Sequence, residues 1–199
     1  MNATRLLLCR HAEPRAQGPD PGLSGRGIGQ ARALAERLAA IPITAVYSSP
    51  ARRAVATARP IAASHGLVPR EVEALRELEF GELAGTSWEE LEQRDPAFAS
   101  SLLREPTRVR FPGGESYADL RGRVTAAADR LIARHAGEVV AGVTHSGPIR
   151  ALLGTWLLMA EEAIFRLEPA HAGITVVDWF DGTPVVRAIN IHSLAEVTR

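Results

Sequence analysis

The sequence contains no lysine, because all 23 of its basic residues are arginine. Without a lysine amine the chain cannot form a Schiff base and cannot supply the lysine of a phosphate-binding loop. The 23 acidic residues bring the formal net charge to zero, which removes the electrostatic reason to expect nucleic acid or an acidic membrane as a partner. Arginine is nevertheless the side chain best suited to bind phosphate oxygens through two parallel hydrogen bonds.

Cysteine and long apolar runs are also scarce. The single cysteine, Cys9, excludes an intrachain disulfide and any cysteine-rich zinc site. No apolar run approaches the roughly 20 residues that a membrane-spanning helix needs, and a strand pattern directly after Thr4 leaves no room for a signal peptide. We therefore expect a cytoplasmic protein, and 199 residues with 46% hydrophobic content predict a single domain over 1–199.

Strand-like runs alternate with helical repeats along the chain. Strands are predicted at 5–9, 43–47, within 68–75 and at 138–144; helices are predicted at about 26–41, 50–64, 115–135 and 148–158. The first helix rests on an apolar repeat that begins at Ile28. Two β-rich runs, 173–180 and 183–191, are joined by Asp181-Gly182, a strong hairpin signal. The pattern predicts an α/β three-layer sandwich with a mostly parallel central sheet and an antiparallel C-terminal edge.

Two segments have open interpretations. Residues 76–114 are irregular apart from a small helix near 88–93, and about 78–114 are expected to form a short lid-like insertion. Within it, Arg104, Arg108 and Arg110 are either a basic lid over an anionic substrate or a solvated loop. The edge strand at 183–191 could pair between subunits, which leaves a homodimer open.

Polar clusters follow three of the predicted strands. They are Arg10-His11, Ser48-Ser49-Pro50 with Arg53 close behind, and Thr144-His145-Ser146-Gly147. Ligands of open α/β sheets bind beyond the carboxyl ends of the strands, and two of these clusters open helices, whose free N–H groups favour anions. Two imidazoles and two guanidiniums would converge there, with carboxylates near Glu77. This combination predicts a site for a phosphate or another multiply charged anion.

Six segments, in order, resemble the histidine phosphatase superfamily, also called the phosphoglycerate mutase-like family. They cover almost the whole chain: Leu8-Cys9-Arg10-His11-Ala12-Glu13; Asp20-Pro21-Gly22-Leu23-Ser24 with Gly27 and Gln30-Ala31; Ser48-Ser49-Pro50-Ala51-Arg52-Arg53-Ala54 with Thr57-Ala58; Leu75-Arg76-Glu77 with Phe80-Gly81 and Gly85; Pro112-Gly113-Gly114-Glu115-Ser116; and Val143-Thr144-His145-Ser146-Gly147. Ala12 replaces the Gly of the family's opening Arg-His-Gly motif, and Ser146 replaces a common Gly. The spacing of the third segment selects Arg53 over Arg52.

The resemblance implies a mechanism without metal or cofactor. His11 would attack phosphorus and become phosphohistidine, and Glu77 would protonate the leaving oxygen and later activate water. Arg10, Arg53 and His145 would bind the phosphoryl oxygens, with His145 protonated by that negative company. These five residues are the predicted catalytic set.

Three further residues are candidates for substrate binding: Ser24, Ser146 and Gly147. Ser24 has the alternative role of capping the helix that follows it. The remaining histidines are expected to be structural or surface residues: His65, His135, His171 and His192.

The predicted function is a metal-independent phosphomonoesterase acting on a small phosphorylated metabolite, whose identity the sequence does not specify. A phosphoglycerate mutase is the first alternative, and the short segment after the acid motif favours the phosphatase. A non-catalytic phospholigand-binding regulator is the second, and the complete catalytic set argues against it. His11-Ala12-Glu13 matches the His-x-Glu of zinc deaminases, but their Pro-Cys-x-x-Cys is missing. Gly142 to Gly147 likewise lacks the Gly-x-Ser-x-Gly spacing of serine hydrolases.

Overall fold

The structure is a computed structural model that describes residues 3–15 and 20–191, so His192 lies outside the described residues. In the described part, six strands form one sheet in the order β3-β2-β4-β1-β5-β6. Their bounds are β1 Thr4–Arg10, β2 Ile43–Ser48, β3 Arg70–Glu71, β4 Val139–Thr144, β5 Ile174–Phe180 and β6 Thr183–Ile191. Strands β1 to β4 are parallel, whereas β5 runs antiparallel to β1 and β6 antiparallel to β5. The predicted fold class, with its antiparallel C-terminal edge, is confirmed.

Helices cover both faces of this sheet. They are α1 Gly25–Leu38, α2 Arg52–Ser64, α3 Trp88–Arg94, α4 Pro96–Arg104, α5 Tyr117–Arg134 and α6 Ser146–Trp156, with three short 3-10 segments at Glu73–Leu75, Gly81–Leu83 and Glu161–Arg166. Alternate residues of β1 point to opposite faces, so Leu7 packs with α1 and α2 while Leu8 packs with α5 and α6. A strand buried on both faces explains the continuous apolar run that predicted it.

Several local expectations differ from the structure. The predicted strand within 68–75 is only two residues long, because a 3-10 turn follows it at once. The lid-like insertion holds two helices rather than one, and Asp95 caps the second of them through Phe98 N. Helix α2 begins at Arg52, so Pro50 precedes it and Pro60 lies inside it. Ile28 was expected on the buried face of α1 but is 45% exposed.

The arginines of the insertion point into solvent. Arg108 pairs with Glu105 at 3.7 Å and Arg110 pairs with Asp119 at 2.6 Å, and both side chains are largely exposed. Arg104 at the end of α4 is exposed as well. This arrangement matches the solvated-loop interpretation, while the lid role of 78–114 and the single domain stay predictions.

None of the helices in the described part of the chain has the length and apolarity that crossing a bilayer requires.

Candidate active site

The carboxyl ends of three neighbouring strands bring the predicted residues together. Arg10 of β1 lies in register with Thr144 of β4, and Ser48 of β2 lies beside Val143 of the same strand. His11 and His145 each follow directly, and their ring centroids are 5.0 Å apart. The sheet therefore places the two imidazoles side by side at one edge.

His11 is buried, with 5% of its surface exposed, and its ring is oriented by its neighbour. Nδ1 lies 2.8 Å from the carbonyl oxygen of Ala12, which can only accept, so Nδ1 carries the proton. Nε2 therefore keeps its lone pair and accepts a hydrogen bond from Nε of Arg53 at 3.2 Å. Burial, reinforced by the nearby guanidinium of Arg53, lowers the pKa of His11 to about 3. The ring is a neutral base whose Nε2 is directed at a cation.

His145 is completely buried and is held from both sides. Arg53 Nη2 donates to its Nδ1 at 3.2 Å, so Nε2 bears the proton and donates to Ser49 Oγ at 2.8 Å. Burial first, and then the electrostatic influence of the neighbouring His11 ring and of the Arg53 guanidinium, lower the pKa of His145 well below its ordinary value. Without an anion the ring is therefore neutral, and the expectation that bound phosphoryl oxygens protonate His145 stays a prediction.

The two predicted arginines lie beside this pair. Arg10 Nη1 donates to the carbonyl oxygen of Pro169 at 2.6 Å and lies 3.4 Å from the carboxylate of Glu168, while its buried Nε has no hydrogen-bond partner among the described atoms. Arg53 bonds to both imidazoles and also pairs with Asp20 at 3.7 Å. Burial lowers the pKa of both arginines, but a guanidinium stays charged at any physiological pH.

Glu77 lies against the first turn of α6. Its carboxylate accepts from Gly147 N at 3.1 Å, from Ser146 Oγ at 3.2 Å and from Leu78 N at 3.0 Å. A Cβ on Gly147 would collide with Glu77 Oε1, so only glycine allows this approach. The structure thus gives Ser146 and Gly147 the role of holding Glu77, and their direct contact with substrate stays a prediction.

Ser24 caps α1, as in the second of its two predicted roles. Its Oγ accepts from Gly27 N at 2.9 Å and donates to Glu13 Oε1 at 2.8 Å. This is the usual arrangement of an N-cap serine. A substrate contact by Ser24 stays a prediction.

Arg123 is a residue of this region that sequence reasoning missed. It donates to the backbone carbonyls of Ala74, Arg76 and Glu77 at 2.8 to 2.9 Å. Its remaining N–H groups bind the two carboxylate oxygens of Glu115 at 2.6 and 2.7 Å. One guanidinium therefore fixes the backbone of the irregular segment that carries Glu77. Glu115 belongs to a recognised motif. Arg123 lies among the polar positions of helix α5, and no local pattern distinguishes it from the other arginines there.

Other partners of the site were also missed. Thr57 Oγ1 accepts from Ala12 N at 3.0 Å, which connects α2 to the loop after His11. His171, expected to be structural or at the surface, is half-buried beside the site, and its Nδ1 donates to the carbonyl oxygen of His11 at 3.1 Å. In contrast, His65 and His135 bond away from the site, to Ile41 O and to Tyr47 Oη respectively.

A cavity of about 670 Å³ opens above these groups. Arg53, Glu77 and His145 line its inner end, and residues of 73–84 line its outer wall. Such a volume falls in the range of roughly 300–1,000 Å³ typical of small-molecule sites. Across the described residues, no cluster of three or more His, Cys, Asp or Glu side chains is arranged to hold a metal ion. The site can therefore offer a nucleophilic nitrogen, a carboxyl group and two guanidiniums to a small anionic ligand.

Known proteins share this sequence and this fold. The family model described as the histidine phosphatase superfamily (branch 1) matches residues 6–192. Phosphoserine phosphatase 1 of Hydrogenobacter thermophilus is 31% identical over 194 residues, which cover 94% of this chain and 92% of that protein. The metal-independent phosphoserine phosphatase of Arabidopsis thaliana is 36% identical over 161 residues, or 75% of this chain and 67% of that protein. The chain spans only 54% of the length of mycobacterial relatives to which it is 35% identical.

A solved structure agrees with the sequence matches. Phosphoserine phosphatase of Entamoeba histolytica, in a mutant form in complex with phosphoserine, superposes with a TM-score of 0.82 at 25% identity, covering 95% of this chain and 98% of that one. The family model matches nearly the whole chain and the fold neighbours agree with it. The chain therefore belongs to branch 1 of the histidine phosphatase superfamily and is a phosphoric monoester hydrolase of that type.

Proposed function

We propose that this enzyme hydrolyses a small phosphorylated metabolite without a metal, through a phosphohistidine formed on Nε2 of His11. The observation that carries the proposal is the orientation of that ring. Nδ1 is committed to Ala12 O, so the lone pair of Nε2 faces the guanidinium of Arg53. An anion bound by Arg53 would lie directly in front of this nitrogen, which is the proximity that in-line phosphoryl transfer requires.

The first half-reaction moves the phosphoryl group to the enzyme. Nε2 of His11 forms a bond to phosphorus with its lone pair while the bond from phosphorus to the leaving oxygen breaks, and Glu77 gives its proton to that oxygen. Arg53 and the Nε–H of Arg10, which has no partner among the described atoms, neutralise the phosphoryl oxygens. The same dianion would raise the pKa of His145, so that its Nδ1 can donate to the phosphoryl group.

The second half-reaction returns the enzyme to its starting form. Glu77, now a carboxylate, takes a proton from a water molecule while the water oxygen attacks phosphorus. The bond between phosphorus and Nε2 breaks, the electron pair returns to His11, and inorganic phosphate leaves. Arg10, Arg53 and His145 provide the positive charge that a metal ion would otherwise supply.

The substrate is proposed at the level of a small phosphomonoester. The relatives named as phosphoserine phosphatases make phosphoserine the first compound to test. The charges along the cavity wall suit a zwitterionic leaving group, because Arg76 and the carboxylates of Glu73 and Glu79 line it together. Arg76 and Glu73 lie 3.4 Å apart, so one ligand could meet both.

The test is phosphate release from a panel of phosphomonoesters in excess EDTA. The panel contains phosphoserine, 3-phosphoglycerate, a sugar phosphate, a nucleotide and ribazole phosphate. We expect activity to survive EDTA and to fall by roughly three orders of magnitude or more in His11→Ala, while His65→Ala, a remote histidine, stays near wild type. Retained binding of vanadate by His11→Ala shows that the variant is folded.

Three results would contradict the proposal. Equal activity in the His11→Ala protein would mean that His11 is not the nucleophile. Activity that is lost in EDTA and restored by a divalent ion would mean that the mechanism requires a metal. Interconversion of 2- and 3-phosphoglycerate that outpaces phosphate release would make the enzyme a mutase.

A further inference from the structure

A second cavity lies on the helical face beside the active site. It has a volume of about 690 Å³, close to that of the catalytic cavity, and it runs between α1 and α2 beside residues 20–23. We call it the α1–α2 groove. Its floor is apolar and is formed by Leu23, Ile28, Ala31 and Pro60.

Ile28 is the residue that makes this floor unusual. It occupies the position at which the helical repeat of α1 predicted a buried side chain, yet 45% of its surface is exposed. Exposing a large apolar side chain in a concave site forgoes hydrophobic stabilisation that burial would give. Together with the half-buried Ala56 and Pro60, Ile28 leaves apolar surface open in the groove, and a patch of this kind rimmed by polar residues is typical of a ligand site.

Three arginines surround the floor: Arg15, Arg32 and Arg52. Arg15 Nε donates to the carbonyl oxygen of Leu23 at 3.3 Å. The side chains of Arg32 and Arg52 form no ion pair with any residue in the described ranges 3–15 and 20–191. The groove therefore combines an apolar body with a positively charged rim.

Asp20 is the one carboxylate of the groove, and it is already engaged. It accepts a hydrogen bond from Arg52 N at 3.1 Å and pairs with Arg53 at 3.7 Å. It also lines the catalytic cavity, so it stands between the two cavities. Its ion pair is with Arg53, and within the described residues it forms none with the guanidiniums of Arg32 and Arg52.

We propose that the α1–α2 groove binds a small amphipathic organic anion at a site separate from the phosphoryl site. The apolar body of the ligand would lie on Ile28 and Pro60, and its carboxylate, sulfonate or phosphate would be held by the arginine rim. A neutral apolar ligand would leave the rim unused, and a bare inorganic anion would leave the floor exposed. The inference does not depend on the mechanism proposed for His11.

The probe for this site is 8-anilinonaphthalene-1-sulfonate, an aromatic sulfonate whose fluorescence rises in apolar surroundings. It is titrated into the folded enzyme in saturating inorganic phosphate, which occupies the phosphoryl site. We expect saturable binding at one site. Ile28→Asp should abolish it, because the new carboxylate repels the sulfonate and removes the apolar floor. Arg32→Gln should weaken it about tenfold, the effect of losing one charge-assisted hydrogen bond.

Leu158→Asp is the matched control. Leu158, just beyond the end of α6, is 91% exposed and does not line the groove. This variant therefore tests whether the probe binds nonspecifically to exposed aliphatic side chains. We expect Leu158→Asp to bind the probe like the wild type, and all variants to keep wild-type phosphate release from the best substrate.

Several results would overturn the proposal. They are the absence of saturable binding to the wild type, equal binding by Ile28→Asp, equal loss in Leu158→Asp, and displacement of the probe by inorganic phosphate. Circular dichroism of each variant confirms that a loss of binding is not a loss of fold.

Discussion

The floor and the outer wall of the catalytic cavity are built differently. We call the floor Arg53 and His145, which line the cavity, together with Arg10 and His11 beside them. It lies at the ends of parallel strands and at the start of α2, and both of its histidines are buried. The wall, residues 73–84, contains two single-turn 3-10 segments and several exposed side chains, among them Phe80 at 41%. Arg123 holds it through three hydrogen bonds to its backbone carbonyls. Two more bonds from Arg123 fix Glu115, which in turn accepts from Glu79 N of the wall.

This difference assigns separate tasks to the two regions. Every phosphomonoester presents the same dianion, so a rigid floor serves all substrates. The leaving group is what varies, and an irregular wall can change its side chains without disturbing the sheet. Glu77 is the exception, because it lies on the wall but must act on the chemistry of the floor. Its bonds to Ser146 and Gly147 connect the wall to α6.

The largest predicted effect tests that connection. Glu77→Gln keeps an oxygen that can accept from Gly147 N but cannot transfer a proton, so kcat should fall by about 10²–10⁴ with little change in KM. Glu82→Gln is the control, because Glu82 is an exposed neighbour on the same wall that does not line the cavity. Phosphate release under saturating substrate measures both. Equal effects in the two variants would mean that Glu77 is only one charge among several on the wall.

The floor is tested by two adjacent arginines that face different ways. Arg53 donates to both histidines, whereas the Arg52 side chain points away into the α1–α2 groove. Arg53→Ala should lower kcat/KM by about 10²–10³, the usual cost of one preorganised donor. Arg52→Ala should stay within about threefold of the wild type, as expected for a rim charge. Comparable losses in both would show that overall positive charge, rather than placement on the floor, binds the phosphoryl group.

The floor could be predicted from the sequence because its residues directly follow apolar runs. Periodicity located β1 and β4, and the rule for parallel sheets placed Arg10, His11 and His145 at one edge. The motif spacing favoured Arg53 over Arg52, and the structure places Arg53 in the site. The short Asp181-Gly182 turn could also be predicted from the sequence, since these residue types tolerate the positive φ that both adopt there.

The wall could not be predicted because its contacts are long-range. Arg123 reaches Ala74 across 49 positions in sequence, and nothing in the helical repeat of α5 marks it. Gly81 and Gly114 are both needed for close backbone approach between the wall and the loop before α5, which a sequence shows only as two glycines. Helix α4 is different, because the Asp95-Pro96 pair at its start is a local pattern that predicts a helix N-terminus. For Ile28 the sequence-based prediction was wrong in the opposite direction. Periodicity identifies the apolar face of a helix, but it does not show whether another part of the chain packs on that face.

Arg123 offers the next test, with an intermediate effect. Arg123→Gln removes most of the bonds that hold the wall, so kcat should fall by about tenfold as Glu77 loses its position, and the free energy of unfolding should fall by about 2 kcal/mol. The inhibition constant of vanadate should not change, because the floor is untouched. Arg121→Gln is the matched control on the exposed face of α5, where Arg121 pairs with Glu161 at 3.5 Å. Weaker vanadate binding in Arg123→Gln would show that floor and wall are not independent.

The smallest effect concerns the charge state of the floor, and it is read as stability against pH. Burial lowers the pKa of His11 from 6.5 to about 3, so between these values the unfolded chain binds a proton that the folded chain does not. Stability from the neutral ring is therefore complete above pH 6.5 and is lost as the pH falls. His145 acts in the same direction.

Urea unfolding at pH 7.5 and pH 5.0 measures this loss. His11 should contribute roughly 2 kcal/mol of it, so His11→Gln should lose less stability over the interval by that amount. The comparison uses the difference between two pH values, because any packing change in the variant affects both values alike. Few carboxylates contribute in this interval, since their ordinary pKa values lie near 4. An equal loss in both proteins would mean that His11 takes up its proton in the folded state, and the floor would then present a cation where the mechanism requires a nucleophile.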